Sequence, residues 1–163
     1  MPIVSGDLKL YLTGGASNPD AILSLGGTTS SVLFTDATLQ NLFANVTPAE
    51  AVAGSIKYRA LSFKNTSAFT AYAAVVYISQ ETTSGDTTVA IAYDSTGTQS
   101  IVNEDTAPTG VSFTTPVSLG AGISLGDVAA AAVRRIWFRR TVTAGAVQAS
   151  DSGKVTITVG SAP

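Results

Sequence analysis

Punctuation constrains this chain more than any motif does. Short apolar runs, most of them alternating along their length, are interrupted from end to end by Gly, Ser, Thr, Asn and Pro. Short strands at regular spacing with turn residues between them build antiparallel sandwiches and barrels. Residues 8–12 open the series, with Leu8, Leu10 and Leu12 on one side and Lys9 and Tyr11 on the other. A short strand is expected over 31–34. Residues 55–65 set Ile56, Tyr58 and Ala60 against Lys57, Arg59, Leu61 and Phe63. Residues 70–79 are β-branched and aromatic, with Tyr72, Ala74, Val76 and Ile78 opposing Ala73, Val75 and Tyr77. That strand reads as buried on both faces, hence central. Residues 87–93 place Val89, Ile91 and Tyr93 on one side, and 135–143 and 154–159 complete the strong strands. Residues 144–153 read as the turn of a hairpin joining those last two. Weaker edge candidates lie at 110–113 and 117–123.

The irregular parts are equally legible. Residues 14–31 are rich in Gly, Ser, Asn and Pro and read as a loop, with a turn at Asn18-Pro19 because the residue before Pro is pushed out of the helical region. Thr47-Pro48-Ala49-Glu50 is a capping box with Pro at the first helical position, and Gly54 ends the short helix it starts. Residues 39–46 are ambiguous. The alanine run in 127–133 favours helix by propensity but is too short to stand alone, and leads into the next strand. The total of about seven to nine strands fits an all-β, antiparallel two-sheet sandwich. The expected layout is one domain over 1–163, with 1–31 as N-terminal arm and irregular loop and 32–163 as the sandwich core.

Composition removes whole classes of chemistry. The 163 residues include no His and no Cys. Thiol catalysis, disulfides, imidazole acid–base chemistry and nearly every zinc site are therefore excluded. A Ser–His–Asp triad is impossible. Charged residues make up 12% of the chain, against about 25% in ordinary soluble domains. The net charge is −2, which does not suit a phosphate-binding footprint, so no nucleic-acid partner is expected. Mean hydropathy is +0.31, high for a chain whose longest apolar run, 71–78, falls far short of a membrane span. The first residues show no basic segment followed by an apolar one, so no signal peptide is expected. High apolarity with low charge suggests that part of the surface is covered by a partner.

Few constellations carry chemistry. Arg134, Arg135, Arg139 and Arg140 flank Ile136-Trp137-Phe138. Alternation puts Arg135, Trp137 and Arg139 on one face, where cation–π contact would hold them together. Trp and Arg are enriched at interface hot spots, so this face is a candidate partner patch. It reads equally as a core Trp covered by Arg stems. Glu104-Asp105 and Asp86 lie in turn-rich stretches and read as solvated turn residues. No run has the alternating oxygen ligands of a calcium loop. A Ser–Lys dyad would have Lys9, Lys57, Lys64 or Lys154 available, but no surrounding motif supports one. Gly14-Gly15 and Gly26-Gly27 lack phosphate-loop spacing and read as turn glycines. Tyr58, Tyr72, Tyr77 and Trp137 would line a sugar-stacking face if exposed together, though core packing is the commoner use of such residues.

Five stretches carry a resemblance: Lys9-Leu10-Tyr11-Leu12 followed by Gly14-Gly15-Ala16-Ser17-Asn18; Ser24-Leu25-Gly26-Gly27; Leu42-Phe43 with Glu50-Ala51 and Gly54; Tyr58-Arg59 leading to Lys64-Asn65-Thr66; and Ile136-Trp137-Phe138-Arg139-Arg140-Thr141-Val142. Their order resembles small virion proteins of tailed bacteriophages. The resemblance implies an immunoglobulin-like sandwich that sits on a particle, either as capsid decoration or cement or in the tail, neck or baseplate. It implies no enzyme, no cofactor and no metal. The partner would be the major capsid protein or another virion protein, with the chain either a homo-oligomer or present in multiple copies on the particle. A carbohydrate-binding module for host attachment is the alternative from another class. On this reading Ile3, Val4, Leu8, Leu10 and Leu12 are arm contacts, either adding a strand to a partner's sheet or forming the first strand of the chain's own sandwich. Arg135, Trp137 and Arg139 form the patch.

Overall fold

The computed structural model describes residues 3–35, 41–147 and 151–160. Its framework is β3 (Ser55–Asn65), an uninterrupted strand of eleven residues. Its alternating side chains feed two different layers. Leu61 and Phe63 point into the space between two sheets, whereas Tyr58 and Ala60 point out of it. On one side β3 pairs antiparallel with β7 (Val133–Val142) from Ser55↔Val142 to Lys64↔Val133. On the other side β1 (Leu8–Thr13) covers only its far end, from Leu8↔Asn65 to Tyr11↔Ser62. With β2 (Thr29–Leu33) and β5 (Thr87–Asp94) these strands make a five-stranded sheet in the order β2-β1-β3-β7-β5. The second sheet has β4 (Ala71–Gln80) between β6 (Ile123–Val128) and β8 (Lys154–Gly160). Every pairing is antiparallel.

The core lies between the sheets. Leu12, Leu61, Phe63, Ile91, Ile136 and Phe138 from the larger sheet meet Ala74, Val76, Ile78, Leu125 and Val128 from the smaller. Leu8 and Leu10 pack against the same cluster, as their alternation requires. The architecture is therefore the expected all-β antiparallel two-sheet sandwich. The capping box also forms: Thr47 Oγ1 accepts from Glu50 N–H, and Glu50 accepts from Thr47 N–H at 2.7 Å, opening the single-turn-plus helix α1 (Pro48–Ala53). Gly54 closes it at φ +77°.

Four expectations need correction. Residues 144–153 do not turn a hairpin, because β7 and β8 belong to different sheets. Both edges of β7 are already taken, by β3 and by β5, so β8 finds its partner in β4. The N-terminal segment is not a free arm over its whole length. Its strand is built into the sheet between β2 and β3. Residues 110–113 form no strand; only an isolated bridge, Ile91↔Thr114, touches the β5 edge. In β4 the alternation slips at Ala73, which takes φ +46° while its N–H donates to Asp127 Oδ1 at 2.9 Å. This bulge puts Ala71 and Ala74 both inside and displaces Tyr72 from the core face. The outward side of β4 is accordingly only partly buried. The alanine run forms a turn before β7, with Ala131 at φ +61°. Of the ambiguous stretch 39–46, positions 39 and 40 lie outside the described residues, as do Met1 and Pro2.

Candidate interface

The outer face of the larger sheet is not open. Tyr58, Ala60, Ala92 and Trp137 form a second buried cluster there, roofed by Ile101, Val111 and Phe113 from the long β5–β6 connection. Tyr58 and Phe113 rings meet at 5.4 Å. Trp137 is fully buried, and Gly26 lies directly on its ring. The partner-patch reading of Arg135, Trp137 and Arg139 is corrected on this point, since Arg135 and Trp137 are buried and only Arg139 is half-exposed. Arg135 is buried; its Nε donates to Ser62 Oγ at 3.2 Å and its Nη2 to the Gly27 carbonyl at 2.7 Å. Burial pushes its pKa down while the Asp94 carboxylate beside it works the other way. Arg139 lies over the Phe113 ring at 5.3 Å. The expected cation–π contact with Trp137 does not form; Arg139 stacks on Phe113 instead, and that contact clamps a loop to the sheet.

Backbone groups complete the same layer. β1 leaves the near half of β3 unpaired, and two loops fill the gap: Tyr58 N–H donates to the Glu104 carbonyl and Ala60 N–H to the Ser24 carbonyl, both at 2.8 Å. Thr13 and Ser24 hydroxyls both donate to the Ala60 carbonyl, and Thr13 Oγ1 accepts from Gly26 N–H at 2.9 Å. These buried polar groups are satisfied by one another, as an interior requires.

A second cluster was not foreseen. Arg59 is wholly buried, with Glu104 as its carboxylate partner and the Phe43 ring beneath it at 5.6 Å. Arg140 covers the same ring at 5.1 Å and donates to the Ala44 carbonyl at 2.6 Å. Lys57 bridges Glu104 and Glu50, the latter at 2.7 Å. Burial acts to raise the Glu50 pKa, but hydrogen bonds from Lys57 and Thr47 outweigh it and hold the group at about 2. Glu104 is lowered as well, the bonds from Lys57 and Arg59 overcoming desolvation. The sequence signal was present: an Arg at an inward position of a strand needs a carboxylate brought to it. Glu104 is thus a structural counter-ion and not a solvated turn residue. Asp94 serves a turn, accepting from the Thr96, Gly97 and Gln99 amides, whereas Asp86 accepts from the distant Val147 N–H and so ties two loops together.

The remaining proposed contacts divide. Leu12 is buried, Leu8 and Leu10 are partly buried, and Ile3 packs on the core. Val4 alone of the five is exposed, at 59%. A row of four aromatics does not form, because Tyr58 and Trp137 are inside. A shallow cleft of about 430 Å³ opens over Gly14, Gly15, Gly26 and Gly27, walled by Leu23, Leu25 and Ile101. The Gly14, Gly15 and Gly27 amides already donate to Thr28 and Gln99 carbonyls, so the cleft is no anion cradle. Among the described residues no His, Cys, Asp or Glu cluster could hold a metal ion, and no helix is long and apolar enough to cross a membrane. Comparison with family models, with curated proteins and with solved structures finds no match.

Proposed function

We propose that this chain is a non-enzymatic structural protein of a tailed-phage virion, a decoration or cement protein that binds the assembled capsid shell. The observation that carries the reading is where the charge goes. Of nine Lys and Arg side chains, only Lys154 stands exposed. Seven of the others are spent on the protein's own carbonyls, carboxylates and rings, and Lys9 is half-buried on β1. What faces solvent is a Ser-, Thr- and Gly-rich surface of low charge, with Asp20, Glu81, Asp105, Asp127 and Lys154 exposed among the described residues and isolated aliphatic tips such as Val52, Val102 and Val147. Such a surface does not steer charged ligands. It suits broad, wet, polar contacts with modest strength per copy.

Decoration works with modest contacts because a shell offers many copies of one site. A rigid sandwich bridging neighbouring shell subunits gains avidity from each added contact. Binding only the assembled state stabilises that state by mass action. On the same resemblance we read the sandwich as immunoglobulin-like and its partner as the major capsid protein. The test is copy number per purified particle, measured by quantitative mass spectrometry against the major shell protein. A ratio near unity or a simple fraction of it is expected. A handful to a few dozen copies would move the protein to the neck, tail or a vertex. Absence from particles would remove the virion reading.

A further inference from the structure

An unpaired sheet edge is a template for another strand, and proteins guard their edges accordingly. Three of the four outer edges here are guarded. The β2 edge is held by the preceding loop: Ser31 N–H donates to the Ala16 carbonyl at 2.9 Å and Ser30 Oγ to the Asn18 carbonyl at 2.8 Å. The β5 edge is capped at Ile91, which exchanges both backbone bonds with Thr114 at 2.9 Å. The β6 edge is bent where Gly126 takes φ +68°, with Asp127 exposed beside it.

The β8 edge carries none of these devices. Among the described residues nothing pairs with its outer side. Its centre, Val155-Thr156-Ile157-Thr158-Val159, holds no charge, Pro or Gly. From Val155 to Thr158 it keeps unbroken register with β4. Val155, Ile157 and Val159 pack toward the core yet remain only partly buried. Thr156 and Thr158 take the opposite face, where Thr156 Oγ1 meets Ser79 Oγ at 2.7 Å.

We infer that β8 pairs with the β8 of a second copy of this chain. An antiparallel pair centred on Ile157 sets Ile157 against itself, Val155 against Val159, Thr156 against Thr158 and Lys154 against Gly160. This register is self-complementary, as a two-fold interface must be. One face of the joint is aliphatic and continues both cores; the other is Thr against Thr, a favourable cross-strand pair. Lys154, the single exposed cation, meets a glycine and stays about 20 Å from its twin at six residues' rise. The product is one six-stranded sheet in the order β6-β4-β8-β8-β4-β6. The inference stands on the edge alone and does not depend on the virion reading.

Sedimentation equilibrium from micromolar to near-millimolar protein tests it. The mass should rise from 16.5 kDa toward twice that value. The double substitution T156K/T158K places like charges directly opposite at both Thr pairs, and should weaken the dimer about a hundredfold or more. T156E/T158E should do the same. An equimolar mixture of the two variants should restore a dimer, because each pair is then Lys against Glu. A wild-type monomer throughout the range would overturn the proposal and leave the edge to a different protein's strand. So would a T156K/T158K dimer as tight as wild type, or a mixture that stays monomeric. Circular dichroism establishes that each variant is folded; if one is not, the other alone still separates dimer from monomer.

Discussion

Gly26 sits at φ +85° with the Trp137 ring so near that an added Cβ would lie 2.6 Å from its Cζ2, and nearer still to the Gln99 carbonyl oxygen. Neither neighbour can yield cheaply. Trp137 is fully buried between the sheet and the roofing loops, and the Gln99 carbonyl accepts the Gly27 N–H at 2.9 Å. Gly26→Ala therefore combines left-handed backbone strain with a clash against ring and backbone. The expected loss of stability is about 3 kcal/mol, read from urea unfolding followed by the emission of the single tryptophan. A loss below about 1 kcal/mol would mean that the 24–28 loop moves off the ring freely. The sequence shows Gly26-Gly27 as turn glycines, and both do take positive φ. It does not show that the first of them also floors a tryptophan pocket, because that contact joins positions more than a hundred residues apart.

At the scale of elements, the ionic cluster ties four pieces together: α1 through Glu50, β3 through Lys57 and Arg59, β7 through Arg140, and the β5–β6 connection through Glu104. Its carboxylates titrate below their ordinary range when folded. A carboxyl depressed in the folded state contributes stability that is whole above its unfolded pKa and is lost as pH falls through the folded one. For Glu50 that window runs from 4.5 down to about 2. Glu50→Gln keeps the capping geometry and removes only the charge. It should cost about 1 kcal/mol at neutral pH, a figure already reduced for solvent screening. The gap to wild type should hold steady from pH 7 to 5 and close between pH 4.5 and about 2. Urea midpoints taken across that range measure it; a gap that persists at the acid end would assign the effect to capping instead. Individual strands were legible because alternation is local, and β3 matches its expected limits of 55–65. The hairpin of β7 with β8 was not, because sheet membership depends on which edges remain free after distant strands have paired. The β4 bulge was missed for a related reason: its Ala73 N–H is satisfied by Asp127, from another strand.

Over the whole molecule, connectivity decides how the sandwich comes apart. The larger sheet is closed only when β7 inserts between β3 and β5, joining positions as distant as Ser55 and Val142. The smaller sheet likewise waits for β8 to reach β4. Both sheets line one core, so neither keeps its buried face if the other leaves. Non-local pairing of this kind is formed late and slowly, on the millisecond-to-second scale typical of β-sandwiches. Trp137 reports the covered outer face of the larger sheet, and Tyr72 and Tyr77 sit on β4 in the smaller. Tryptophan emission, tyrosine near-ultraviolet signal and far-ultraviolet circular dichroism should therefore give one coincident unfolding midpoint, measured at dilute and fixed protein concentration. Tyr11, Tyr58 and Tyr93 lie in the larger sheet, so the decisive part of the tyrosine signal is the part removed by Tyr72→Phe/Tyr77→Phe. If that part were lost at lower urea than tryptophan emission, the three-stranded sheet would be a separate unit. The outer layer would then be held by its own roof of Ile101, Val111 and Phe113, and not through the shared core.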